Sequence, residues 1–154
     1  MSIVSQIEKL KISIPKAPKP VGAYLAYKQV NNLFYISGQL PIKENGEILC
    51  GKIGADLSIA QGKEAATLCT LNILAQIKDA CGGKLDKIKS CIKITGYINS
   101  TEDFKDQPKI LNASSELISN IFGQNGLHAR VAVSVNALPL GAAVEIDAIF
   151  EVKI

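Results

Sequence analysis

Residues 129–152 read ARVAVSVNALPLGAAVEIDAIFEV. Two β-rich runs, 129–137 and 142–152, flank the turn segment Leu138-Pro139-Leu140-Gly141. Period-two alternation sorts each run into faces, because successive side chains of a strand point to opposite sides. Val131, Val133, Val135 and Ala137 share one face of the first run; Arg130, Ala132, Ser134 and Asn136 share the other. In the second, Val144, Ile146, Ala148 and Phe150 oppose Glu145, Asp147 and Ile149. Each strand therefore has an apolar face for a covering layer and an opposite face that is small or polar. The expectation is that the valine face meets helices and that the Ala132–Ser134–Asn136 face meets another subunit.

Working outward, Pro108 is a good first helical residue. Ile110, Leu111, Leu117, Ile118 and Ile121 follow at helical spacing up to Gly123. The run 87–99 (KIKSCIKITGYIN) reads as a strand and 100–107 (STEDFKDQ) as a loop. A long helix is predicted from about Leu57 to Cys81. Ser58 and Gln61 supply an S-x-x-Q capping box, Leu68, Leu71, Leu74, Ala75 and Ile77 an apolar stripe, and Gly82-Gly83 a stop. Residues 41–52 (PIKENGEILCGK) read as a turn with a short strand, and 23–30 with 33–40 as a hairpin joined at Asn31-Asn32. Ahead of them lie a proline-broken lead-in, 14–20 (IPKAPKP), and a short helix carrying Ile3, Ile7 and Leu10. The order ββ(β)αβαββ reads as an α+β fold: one sheet with two main helices on one face and a short N-terminal helix. Residues 1–154 read as a single domain, 1–20 being the helix and lead-in.

Composition excludes several classes. Apolar residues are 47% of 154, enough for a core, and no apolar run is long enough to span a membrane. The first twenty residues carry no apolar secretory segment. Cys50, Cys69, Cys81 and Cys91 form no C-x-x-C pair, and one histidine cannot complete a Cys/His zinc set, so no metal is expected. All four sit in apolar stretches and read as buried free thiols, which points to the cytoplasm. Net charge is +3, and the densest basic stretch, 84–93, lacks aromatics and arginine, so nucleic acid is an unfavoured partner. No phosphate-cradling loop, dinucleotide fingerprint or nucleophile elbow occurs, and no cofactor is expected.

The basic residues hold a sharper signal. Of 17 lysines and arginines only Arg130 is an arginine, and His128 is the only histidine. In a chain biased toward lysine, arginine is hard to replace where a planar fork must grip a carboxylate at two points. Arg130 either does this or pairs with Glu145 or Asp147 across the final hairpin. A carboxylate such as Glu145 can activate a water. Tyr24 and Ser37 on the first hairpin, and His128 beside Arg130, complete the candidate constellation. Each also has a plain structural reading, as a packed aromatic or a strand-end residue.

Residues 21–27 (VGAYLAY), 34–42 (FYISGQLPI) and 128–149 (HARVAVSVNALPLGAAVEIDAI) together resemble the RidA/YjgF family. Its pattern has a G-P-Y element, S-G-Q-x-P, A-R-S, then L-P and V-E-I-x-A in the same order. The N-terminal helix and the H-A-R form are similar to a longer branch of that family. The resemblance implies a chorismate-mutase-like fold whose sheet is mixed, a homotrimer, and a ligand cleft at each subunit interface. It implies hydrolysis of 2-enamine and 2-imine acids to 2-oxo acids and ammonia. On that pattern Arg130 would hold the carboxylate, Glu145 would position water, and Tyr24, Ser37 and Gly38 would line the cleft; His128, beside Arg130, joins them as a candidate substrate-binding residue. Three departures stand out: Ala23 replaces the proline of G-P-Y, Ala132 stands where many members have cysteine, and the family asparagine falls on Pro108. Asn112 takes that last place if the preceding loop is longer. The competing functions are a non-catalytic small-carboxylate regulator and, ranked last, an endoribonuclease or translation inhibitor.

Overall fold

The computed structural model describes residues 1–154. Strands β1 (Tyr27–Val30), β2 (Leu33–Gln39), β3 (Ile88–Asn99), β4 (Ala129–Val135) and β5 (Val144–Val152) form one sheet. Helices α1 (Ile3–Lys9), α2 (Ile59–Ala80) and α3 (Gln107–Phe122) complete the fold. The sheet order is β1-β2-β5-β3-β4, antiparallel except for the β3/β4 pair. β5 takes the centre because its inward residues Val144, Ile146, Ala148 and Phe150 are the most completely apolar set, each 2% exposed or less.

Helices α2 and α3 pack on that inward face and on each other. The capping box that starts α2 is formed: Gln61 N–H donates to Ser58 Oγ at 3.2 Å and Ser58 N–H to Gln61 Oε1 at 2.9 Å. Buried polar groups on α2 tie distant segments down. Thr70 donates to the Ala66 carbonyl at 2.8 Å and pairs with Ser114 Oγ of α3 at 2.6 Å. Asn72 holds the carbonyls of Leu40 and Ile42, and Gln76 donates to the Pro18 carbonyl at 2.6 Å, pinning the proline lead-in to α2. Helix α1 lies at the far end of α3, with Ile7 in the core and Gln6 donating to the Asn120 carbonyl at 2.8 Å. No helix is long and apolar enough to cross a membrane.

Four expectations need correction. First, β4 and β5 are not a hairpin. β3 lies between them, and residues 136–143 carry the chain across its end; the α3 crossover lays β4 parallel to β3. Second, the faces of β4 are reversed. Val131 and Val133 are 44% and 41% exposed on the open side, whereas Ala132 packs against the core and Ser134 bonds to Gln107 of α3. The reason is clearance. Ala132 lies opposite Gly96, and a Cβ at Gly96 would sit 2.6 Å from Leu111 of α3, so the helix comes too close for valine there. The face expected at a subunit contact is thus turned to the helices, and the open face carries the valines. Third, Cys50 is exposed; only Cys69, Cys81 and Cys91 are buried, and all four are free. Fourth, β1 begins at Tyr27 rather than Ala23, and residues 41–52 form isolated bridges, Ile42 to Ile48 and Cys50 to Ala142, rather than a strand.

Candidate functional site

The chemistry-bearing residues fall into two places. The first is a narrow cleft of about 90 Å³, lined among others by Pro18, Pro20, Tyr24, Gly38 and Glu145. It exists because β2 carries a bulge between Ile36 and Gln39, where three steps on β2 match two on β5. A Cβ at Gly38 would sit 2.8 Å from Glu145 Oε2, so the carboxylate lies directly on the Gly38 backbone and any larger residue there would push it aside. Glu145 is half-buried, and burial first, then the neighbouring Asp147, raises its pKa above the usual carboxylate value. Asp147 is itself bonded by the Tyr97 hydroxyl at 3.3 Å. Tyr24 is half-exposed at the mouth. Ser37 does not line this cleft: its hydroxyl donates to the Leu25 carbonyl at 2.6 Å and its N–H to the Ala26 carbonyl at 2.9 Å, which fixes the segment carrying Tyr24.

The second place is the corner between β4 and α3. Arg130 Nη1 donates to Asn112 Oδ1 at 2.8 Å and to Ser115 Oγ at 3.2 Å, and Nη2 reaches the Pro108 carbonyl at 3.4 Å. His128 Nε2 lies 2.9 Å from Ser115 Oγ, and Nδ1 bonds the Gly126 carbonyl. Every partner of the guanidinium is neutral. The ion pairs are Lys89 with Glu151 and Lys109 with Asp106, so Arg130 has no acid partner in its own chain. The alternative that Arg130 pairs with Glu145 or Asp147 is excluded: those acids lie on the open face, and Arg130 is on the helix side of the edge strand. The constellation of Arg130 with Glu145 therefore does not assemble within one chain.

Asn112, on α3, is the side-chain amide that meets Arg130. Ser115 escapes the sequence reading. Its signal is the spacing: Asn112 and Ser115 are three apart on α3, so they share a helix face with Pro108. A wider hollow of about 780 Å³ lies at the C-terminal ends of β3 and β4. Its Lys52 ammonium donates to Asn99 Oδ1, Ser100 O and Asn136 O at 2.8, 3.2 and 3.0 Å. Those three bonds use all its protons, which makes it a brace between loops.

A mixed sheet with two helices on one face, a bulged Gly38 cradling an acid, and an arginine at the edge strand together define a family. Residues 5–151 match the family described as "YjgF/chorismate_mutase-like, putative endoribonuclease", and the chain belongs to that YjgF/RidA family. Among its relatives is Protein TCP17 of Trypanosoma cruzi, 37% identical over 98% of this chain and 94% of that one. The 2-iminobutanoate/2-iminopropanoate deaminase of Mus musculus is 31% identical over 95% of this chain and 93% of its own length. A crystal structure of a putative endoribonuclease from Shewanella oneidensis superposes with a TM-score of 0.93 at 31% identity, covering 99% of this chain and all of that one.

Proposed function

We propose that the protein hydrolyses 2-imino and 2-enamino acids to 2-oxo acids and ammonia at clefts formed between copies of the chain. The observation that carries this reading is the charge of Arg130: the only guanidinium of the chain, held by neutral acceptors and left without an acid. A planar cation prepared in this way suits a carboxylate ligand. The complementary half is Glu145, a desolvated acid whose raised pKa makes it a better proton acceptor than an ordinary carboxylate. The two cannot meet inside one chain, so the reading requires Arg130 of one copy to face the Tyr24–Gly38–Glu145 cleft of the next. The resemblance to the family makes the assembly a homotrimer, and the exposed Val131, Val133 and Tyr35 on the open face give it an apolar contact surface.

The chemistry asks little of the protein. An iminium carbon is already electrophilic. Water held by Glu145 adds to it, the C–O bond forms as the C=N π pair moves to nitrogen, and Glu145 takes the proton. That proton returns to the amine, the hydroxyl lone pair forms the C=O bond as the C–N pair leaves with nitrogen, and Glu145 takes the hydroxyl proton and passes it to the departing ammonia, leaving ammonium and the 2-oxo acid. An enamine first takes a proton from solvent at carbon to become the same iminium. Fixing the carboxylate and one water supplies orientation, the chief source of acceleration open to a site that forms no covalent intermediate. Because both ring nitrogens of His128 are engaged within the chain, a ribonuclease using His128 as its base is disfavoured.

The test is ammonia release from 2-aminoacrylate generated in the assay by a serine dehydratase. Acceleration over buffer, lost in Glu145→Gln, supports the reading. Pyruvate binding with no acceleration favours the carboxylate-regulator alternative and overturns the enzymatic one.

A further inference from the structure

One hydroxyl joins the only histidine to the only arginine. The Gly126 carbonyl can only accept, so His128 Nδ1 carries the hydrogen of that bond and Nε2 of the neutral ring is an acceptor. The Ser115 hydroxyl therefore donates to Nε2 at 2.9 Å, which turns its lone pairs toward Arg130, whose Nη1 donates to it at 3.2 Å. Asn112 Oδ1 takes the other Nη1 hydrogen at 2.8 Å. Both hydrogens of Nη1 are then spent. Nη2 has one contact, at 3.4 Å, beyond the usual N–H···O range, and Nε has none.

We infer that His128, acting through Ser115, is a positioning residue that turns the guanidinium so that its Nε–Nη2 edge is the one left to receive a ligand carboxylate. This rests on the carboxylate grip assigned to Arg130 and adds the direction from which the carboxylate is taken. Two bonds on Nη1 fix the guanidinium plane. A carboxylate that meets Nε–H and Nη2–H must lie in that plane, which fixes where the neighbouring imine carbon stands. Ser115 alone does not do this. A helical serine whose hydrogen has no fixed acceptor donates to the carbonyl four residues back, and its lone pairs swing away. The imidazole removes that freedom, and the Gly126 carbonyl in the tight turn Gly123–Gly126 holds the imidazole.

The composition makes this directly measurable, since one arginine and one histidine give one nuclear magnetic resonance signal each. The probe ligand is pyruvate. The wild-type neutral ring should show the Nδ1–H tautomer, and Arg130 Nε–H should give a sharp correlation that shifts on adding pyruvate. His128→Phe keeps the ring volume but neither nitrogen. It should broaden the Arg130 signal and weaken pyruvate binding by roughly 10-fold, the lower end of the worth of one hydrogen bond to a charged group. Ser115→Ala should do the same, and the double variant should be no worse than either single one. His128→Gln, which keeps an acceptor and a donor, should restore the signal and binding to within about threefold of wild type; a purely packing role would not be rescued this way. The Nε2–H tautomer in the wild type, or a Phe variant that folds and binds pyruvate normally, overturns the inference. If His128→Phe does not fold, Ser115→Ala and the wild-type tautomer decide. A wild type that binds no pyruvate overturns the grip assigned to Arg130, while the tautomer and the dependence of the Arg130 signal on Ser115 still judge the positioning.

Discussion

The Glu145 cleft and the Arg130 corner are built by opposite means. Glu145 gains its character by deprivation: it is half-buried opposite the bulge of β2, sits over a glycine and has a second acid as its neighbour. Arg130 gains its character by provision: two neutral acceptors on Nη1, Asn112 and a histidine-backed Ser115, fix its plane without cancelling its charge. The acid lacks a cation and the cation lacks an acid, yet the two lie on opposite faces of one sheet. On the proposed reading, each is half of a site completed by a second copy. The difference also separates their roles, because removing one should damage a chemical step and removing the other should damage binding.

The largest effect expected is on Glu145→Gln. If the acid accepts the proton of the attacking water, imine hydrolysis should fall by roughly 10²-fold or more, the ordinary worth of a general base. Pyruvate affinity should stay within about twofold, because the carboxylate is held elsewhere. A variant that hydrolyses at the wild-type rate would remove Glu145 from the chemistry and break the contrast at once.

Arg130→Lys should show the reverse pattern. Exchanging a two-point, charge-assisted contact for a point charge should cost about 2–3 kcal/mol, roughly 30- to 150-fold in pyruvate affinity. If Arg130 merely braces α3 against β4, melting temperature falls and affinity holds. Both measurements on one preparation separate these outcomes.

A smaller effect tests whether the halves are joined by assembly. Val133→Lys places an ammonium on the open face beside Tyr97, far from the helix layer. Desolvating it at a subunit contact should weaken self-association by about tenfold or more in concentration, read by light scattering. Ser134→Lys tests the opposite face. Ser134 bonds to Ser100 and Gln107, so this change should lower the melting temperature instead. If Val133→Lys leaves assembly intact, the open face is not the contact.

How much of this the sequence disclosed differs between the halves. The Ser58–Gln61 capping box, the proline at the head of α3 and the inward apolar face of β5 all rest on short-range spacing, and they stand as read. The facing of β4 does not follow from spacing. Alternation divides Arg130, Ala132 and Ser134 from the valines, but which set meets a helix depends on Gly96 and Leu111, more than 15 residues away in sequence. Strand order was hidden for the same reason. Residues 129–152 look like a hairpin because nothing local records that β3 has to lie between. The separation of Arg130 from Glu145 is a consequence of that hidden order. The identity of Arg130 was informative because composition isolates it, whereas Ser115 has no such mark and emerges only from its distance to His128.

The smallest expected effect returns to Glu145 and concerns stability. Burial raises its pKa in the folded chain, so between the ordinary carboxylate value and the raised one the folded state binds more proton than the unfolded state. Stability therefore falls as pH rises through that window, and above it the ionised acid is a standing cost. Glu145→Gln removes the cost. At pH 7.5 the variant should melt higher than the wild type, and the gap should close as the pH is lowered through the window and the wild-type acid takes its proton. Because the side chain is only half-buried, solvent screening keeps the gap below about 4 °C, the shift that roughly 1 kcal/mol produces in a domain of this size. A neutral-pH gap with the opposite sign would mean that the ionised carboxylate stabilises the fold. Glu145 would then be a structural acid, and its raised pKa would no longer argue for a proton acceptor kept ready at the expense of stability.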